Sequence, residues 1–211
     1  MSGGEERAWE LLASCDPRDV CARTTAEYSP DEEGYVLEVF GLPVVVDITA
    51  RAMRGSDPRS EFVLTKAAYF SRLSILHYLL GAQKIVPTGR LVKPEQLKAG
   101  QFFALGSHLL PLDQIAARFS GDLDAFMQQA ARFGGERRPY GDAAMELRPF
   151  ARLPVTLIFW EGDDEFPARS SLLFDDTSEL HLPADVLWSV AMLCSKVMLQ
   201  FNQGAVGSNC S

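Results

Sequence analysis

The stretch Leu153-Pro-Val-Thr-Leu-Ile-Phe-Trp-Glu-Gly-Asp-Asp-Glu-Phe-Pro-Ala-Arg-Ser-Ser-Leu-Leu-Phe-Asp175 constrains the fold more than any other, because it sets a knot of carboxylates between two apolar segments. Pro154 to Trp160 is a continuous apolar run of strand length, rich in β-branched and aromatic residues, with its proline at the start where a missing donor does little harm. It reads as a buried central strand. The shorter run from Ser170 to Phe174 follows closely enough to fold back as an antiparallel neighbour. Glu161, Asp163, Asp164 and Glu165 then sit at one end of the sheet. Asp175, Asp176 and Glu179 fall at the other end, about 17–20 Å away for strands of ordinary length. The pattern predicts two acidic clusters rather than one merged site.

The rest of the chain supplies partners for this hairpin. Glu5 to Ala13 has helical spacing in Trp9, Leu12 and Ala13, and Asp16-Pro17 ends that helix or starts another turn. Tyr35 to Phe40 and Val44 to Thr49 read as strands joined by Gly41-Leu42-Pro43, whereas Arg51 to Arg59 reads as a loop. Leu64 to Leu80 is predicted as one helix with Ala68, Leu73, Leu76, Leu79 and Leu80 on a wide apolar face, stopped by Gly81. Val86 to Pro94 is too rich in proline for a central strand, and Pro94 to Lys98 makes at most one helical turn. Pro111 to Phe119 and Asp122 to Phe133 are two helices broken at Ser120-Gly121, and Ala143 to Leu147 is one more strand. Pro183 to Phe201 is a long helix opened by proline, with Leu187, Val190, Ala191, Cys194, Val197, Met198 and Phe201 on its buried stripe. This order predicts an α+β fold, an antiparallel or mixed sheet with helices packed mainly on one face. Residues 1–203 are expected to form a single domain of one or two lobes, and 204–211 a flexible tail rich in small and polar residues.

Several function classes fall away. A formal net charge of -8 opposes nucleic acid and anionic membrane surfaces as partners, since both demand a basic face. No apolar run is long enough to span a membrane, and Met1-Ser-Gly-Gly-Glu-Glu lacks the parts of a signal peptide, so a cytoplasmic location is expected. No glycine-rich phosphate loop follows a strand. Cys15, Cys21, Cys194 and Cys210 match no zinc or iron–sulfur spacing, and no cofactor is assigned. Cys194 reads as a buried reduced thiol, while Cys15 and Cys21 are read as free thiols, with a disulfide or half of an intermolecular metal site as the alternatives.

The ligand-binding candidates are Glu161, Asp163, Asp164, Glu165, His77 and Tyr69. The carboxylates form either a solvated turn that keeps the strand ends polar or a set of oxygen ligands for a divalent cation. Pro167 stiffens this loop, and Phe166 is expected to pack back on the core. His77 lies beside the apolar face of its helix and reads as a packed or hydrogen-bonded histidine, with no nucleophile in view to serve as its partner. His108 and His181 each precede a proline and read as turn or capping residues rather than metal ligands.

The order of "LPVTLIFWEGDDEFPARSSLLFD" and "HLPADVL", preceded by "ILHYLLGAQKIVPTGRLV", "ARFSGDLDAFMQQAARFGG" and "YGDAAMEL", is similar to the domain of unknown function 3786 family of anaerobic bacteria and archaea. The resemblance covers roughly residues 20 to 200 and is most specific from Trp160 to Asp175. Some members of that family carry an additional cysteine-rich iron–sulfur domain of the kind seen in corrinoid proteins, and no such cysteine run occurs in these residues. The resemblance therefore implies an accessory or binding role linked to anaerobic cofactor or one-carbon (corrinoid or iron–sulfur) metabolism. It carries over no catalytic residue. The partner expected is an unidentified small molecule or protein; the alternative is a small-molecule enzyme using the acidic loop with a divalent metal. With no metal signature to hold the fold, the purified protein should keep its melting temperature in excess EDTA. A large fall would reveal a structural metal, because removal forfeits its folding free energy.

Overall fold

The computed structural model describes residues 3–98, 100 and 109–200; His108, Phe201, Cys210 and the expected tail at 204–211 lie outside them. The amino-terminal part begins with α1 (Gly3–Ala13) and α2 (Pro17–Thr24), the latter capped by the Asp16 carboxylate accepting from the Arg18 amide at 2.9 Å. An antiparallel meander follows, β1 (Glu27–Ser29), β2 (Gly34–Val39), β3 (Leu42–Asp47) and β4 (Ala52–Gly55), paired in chain order. The β2–β3 turn is Phe40-Gly41, shorter than the connection read from the sequence, and both residues have positive φ, 55° and 69°. A two-residue turn of this hand matches the twist of its strands. Phe40 tolerates the left-handed conformation because its ring is buried edge-on against Phe133, centroids 5.8 Å apart.

Two expectations for the next segment are corrected. Residues 51–59 are not a loop: they contain β4, which completes the first sheet, and they start α3 (Pro58–Thr65). Asp57 caps α3 through the Arg59 and Ser60 amides, so Asp57-Pro58 was a readable helix start. The single helix expected from Leu64 to Leu80 is two, α3 and α4 (Ala68–Gly81), broken at Lys66-Ala67. The break lets α3 lie on β3 and β4 while α4 packs between α1 and α8. Apolar periodicity runs through it without interruption, which is why the pattern hides it.

The second sheet has the order β5-β9-β8-β7-β6 and is antiparallel throughout. Its strands are β5 (Leu91–Val92), β6 (Glu136–Arg137), β7 (Ala143–Phe150), β8 (Leu153–Trp160) and β9 (Arg169–Asp175). β8 is central, and every residue from Leu153 to Phe159 is buried. The predicted hairpin is present, with Val155 opposite Phe174 and Trp160 opposite Arg169. Leu91 and Val92, read only as connecting structure, form the short edge strand on β9.

Helices α5 (Leu112–Phe119) and α6 (Leu123–Ala131) cover β9 and β7. A short α7 (Ser178–His181) leads into α8 (Ala184–Gln200), which packs chiefly on α4, α5 and α6 and meets the sheet at β7. The sheet is thus covered mainly by α5 and α6, with α8 behind them. Its buried residues, Val186, Leu187, Ser189, Val190, Ala191, Leu193, Cys194, Ser195, Val197 and Met198, surround the helix instead of forming one stripe. Burial at about 1.5–3 kcal/mol per large apolar side chain makes α8 worth more than the net stability of an ordinary domain. A chain ending at Leu182 should accordingly fail to unfold cooperatively in urea. Cooperative unfolding of that chain would show that α8 is dispensable to the core.

Candidate functional site

The β8–β9 connection is ordered by its own backbone. The Asp163 carboxylate accepts from the Glu165 amide at 2.9 Å and the Phe166 amide at 2.7 Å, and these bonds, in that order of weight, hold its pKa below the ordinary 3.8. The Asp163 amide in turn donates to the Phe166 carbonyl at 2.9 Å. Glu161 is tied at both ends: its amide donates to Asp142 at 2.8 Å, and its carboxylate accepts from the Gly121 amide between α5 and α6 at 3.1 Å. Asp164 and Glu165 are exposed and make no side-chain hydrogen bond or ion pair among the described residues. Phe166 does not pack back on the core; it is 67% exposed, because the Asp163 turn directs it outward.

An open groove of about 410 Å³ runs beside this turn, lined by Asp142, Trp160, Glu161, Asp163, Phe166 and Arg169. The Arg169 guanidinium lies over the Trp160 ring, 4.4 Å from its centroid, in a cation–π contact. Arg148, the other cation near in sequence, pairs with Glu146 at 2.8 Å. Neither arginine is an ion-pair partner of the loop carboxylates.

The remaining candidates stand elsewhere. Tyr69 and His77 are both on α4, whose neighbours are α1, α2, α3 and α8, whereas the hairpin touches the α5–α6 and β6–β7 connections. Tyr69 is 66% exposed, its ring edge-on to Phe70 at 5.3 Å. Burial lowers the pKa of His77 from 6.5, partly offset by Asp185 on α8. Among the described residues no three histidine, cysteine, aspartate or glutamate side chains gather to hold a metal ion. Cys15, Cys21 and Cys194 are free thiols, and burial raises the pKa of Cys194 far out of the reactive range.

The second acidic cluster is structural. Asp175 is 1% exposed, yet its carboxylate accepts from the amides of Thr88 at 3.2 Å, Gly89 at 2.7 Å and Thr177 at 3.0 Å and from the Thr177 hydroxyl at 2.6 Å. Burial alone would raise its pKa; the bonds from Thr177, Gly89 and Thr88 bring it below the ordinary value instead. Asp176 accepts from the Thr88 hydroxyl at 2.5 Å, and Glu179 from the Lys98 amide at 2.7 Å. Beside this clamp His181 is 2% exposed, its Nδ1 accepting from the Gln83 amide at 3.1 Å and its Nε2 without a partner. The imidazole thus caps the chain leaving α4, a capping role reached across the fold rather than at its own helix start.

With the geometry in place, comparison with known proteins gives one match. The family model for a domain of unknown function (DUF3786) matches residues 16–197. The chain belongs to that family. No curated protein and no solved structure matches it. In this DUF3786 chain no described helix is long and apolar enough to cross a membrane. The groove residues missed in the sequence are Asp142, Trp160 and Arg169. The pairing of Trp160 with Arg169 was available from hairpin register, since residues facing each other across a ladder interact.

Burial lowers the pKa of His181 below 6.5, Arg152 adding to the effect and Asp175 opposing it. The native state therefore resists a proton that the unfolded chain accepts. Stability should be full above pH 6.5 and fall as the pH drops through that value. Urea denaturation between pH 7.5 and pH 5, about the range in which histidine titrates, should show this decline, and it should shrink in His181→Asn, which keeps an acceptor near Nδ1. An unchanged decline in that variant would place its cause elsewhere.

Proposed function

We propose that this chain is a non-catalytic binding protein whose β8–β9 hairpin recognises a positively charged group, guanidinium or ammonium, on its partner. The observation that carries the reading is the division of labour among the loop carboxylates. Asp163 and Glu161 are spent on backbone amides, and that fixes Asp164 and Glu165, exposed and unpartnered, beside the outward ring of Phe166. Carboxylates next to an aromatic face suit a cation, and Arg169 on Trp160 displays that chemistry within the same groove.

The enzyme alternative needs the loop carboxylates beside His77 or Tyr69, but those two residues are on α4, whereas the loop bonds to the α5–α6 and β6–β7 connections. An accessory place in anaerobic cofactor or one-carbon metabolism, in the cytoplasm, accords with the family but draws on no residue of this chain. The described cysteines do not fit an iron–sulfur cluster, since Cys194 is sealed in the core and no third ligand joins Cys15 and Cys21.

Isothermal titration with agmatine and with a tri-arginine peptide tests the proposal. Binding should weaken with added salt and fall several-fold in the Asp164→Asn, Glu165→Gln double variant, while the denaturation midpoint stays unchanged, as for other surface substitutions. Absence of binding by the wild-type chain, or equal binding by the variant, would remove the hairpin as a recognition surface.

A further inference from the structure

Away from the hairpin, the outer face of the second sheet holds a cavity of about 300 Å³. Its floor is built by β7 and β8, where Glu146 and Thr156 are direct partners across the ladder and Arg148 follows on the same face. One wall is the segment from Pro87 to Leu91, held down by the Asp175 clamp; the other carries Arg138 and Tyr140. Asp175 itself lines the cavity, but both its oxygens are taken by Thr88, Gly89 and Thr177.

Two polar groups on this floor have capacity left, the Thr156 hydroxyl and the Arg148 guanidinium. Thr156 is 1% exposed, and its hydroxyl donates no hydrogen bond among the described residues. The Glu146 side chain is 12% exposed; its Oε2 accepts from Arg138 Nε at 3.0 Å. Its Oε1 lies 2.9 Å from Arg138 and 2.8 Å from Arg148 and is ion-paired with both. Arg148 has that one ion pair and no other partner among the described residues, whereas Arg138 is committed to Glu136, Glu146 and the Arg137 carbonyl. The Thr156 hydroxyl and the outer edge of the Arg148 guanidinium thus border the cavity with hydrogen-bonding capacity that a guest can use.

We infer that this cavity binds a small carboxylic acid bearing a hydroxyl or ammonium group on the adjacent carbon. The ligand carboxylate meets the free edge of the Arg148 guanidinium, where two parallel N–H donors match its geometry. Its hydroxyl or ammonium donates to the Glu146 carboxylate, and the Thr156 hydroxyl supplies the remaining hydrogen bond. Two guanidiniums and two carboxylates leave the lining close to neutral, which suits a singly charged or zwitterionic acid and disfavours phosphate. The volume is at the lower end for ligand pockets, so the acid has few carbons.

Titration of the full chain with glycolate, lactate, glycine and alanine, followed by amide chemical-shift changes and calorimetry, tests the assignment; propionate and phosphate are the controls. Saturable shifts should centre on Tyr140, Glu146 and Thr156, and the hydroxy or the amino pair binding better identifies the source of the donor. Arg148→Gln should weaken binding about tenfold or more, and Thr156→Val several-fold, in line with loss of a charged and a neutral hydrogen bond. The Asp164→Asn, Glu165→Gln variant should bind these acids as the wild type does, which separates this site from the hairpin. No saturable shift with any of the four acids would overturn the inference, as would phosphate or propionate binding equally well. Binding that survives both Arg148→Gln and Thr156→Val would do the same.

Discussion

The fold depends on β8 being buried on both faces. A strand with apolar side chains from Leu153 to Phe159 can rest only at the centre of a sheet that is covered on each side. Its inward residues, Val155, Leu157 and Phe159, join the core, and Phe126 of α6 tilts against Phe159 at 5.4 Å. Its outward residues are sheltered more thinly, by the 138–142 segment and by the loop before β5. Those thin covers, rather than helices, are where both the groove and the cavity open.

Buried polar groups tie the two halves of the chain together. Tyr78 on α4 stacks on Phe150 at 4.4 Å and donates to the Thr24 carbonyl at 3.2 Å, while its oxygen accepts from the Arg152 amide at 3.3 Å. Burial pushes the phenol up to about 12, so it stays a donor at neutral pH. Arg152 continues the chain of bonds, donating to the Arg23 carbonyl at 2.8 Å. The β7–β8 turn is thus fastened to α2 and α4 by directional bonds, and apolar packing of the same surfaces would not fix their register.

Much of the architecture was legible, and the reason is period. The central hairpin, α5 and α6, α8 and the meander all announce themselves through runs or alternations that match one secondary structure only. The misreadings fall where local pattern and tertiary contact disagree. Leu64 to Leu80 keeps a helical period across a break that exists to serve two different partners, and residues 52–55 become a strand because β3 offers an edge. Phe166 was expected inward on hydrophobicity alone, and a two-bond turn at Asp163 outweighs that preference.

By itself, the sequence determined the antiparallel pairing of β8 with β9, and with it the separation of the acidic residues into two clusters at opposite strand ends. The short connection between the two apolar runs brings the second back beside the first in the opposite direction. Only the tertiary structure decided what each cluster does. Asp175 and Asp164 are the same residue type beside the same two strands, but Asp175 is enclosed by the amides of Thr88 and Gly89, far away in sequence, and Asp164 meets solvent. The role of a carboxylate follows from which donors surround it, and those donors are brought by chain segments whose approach no local pattern encodes.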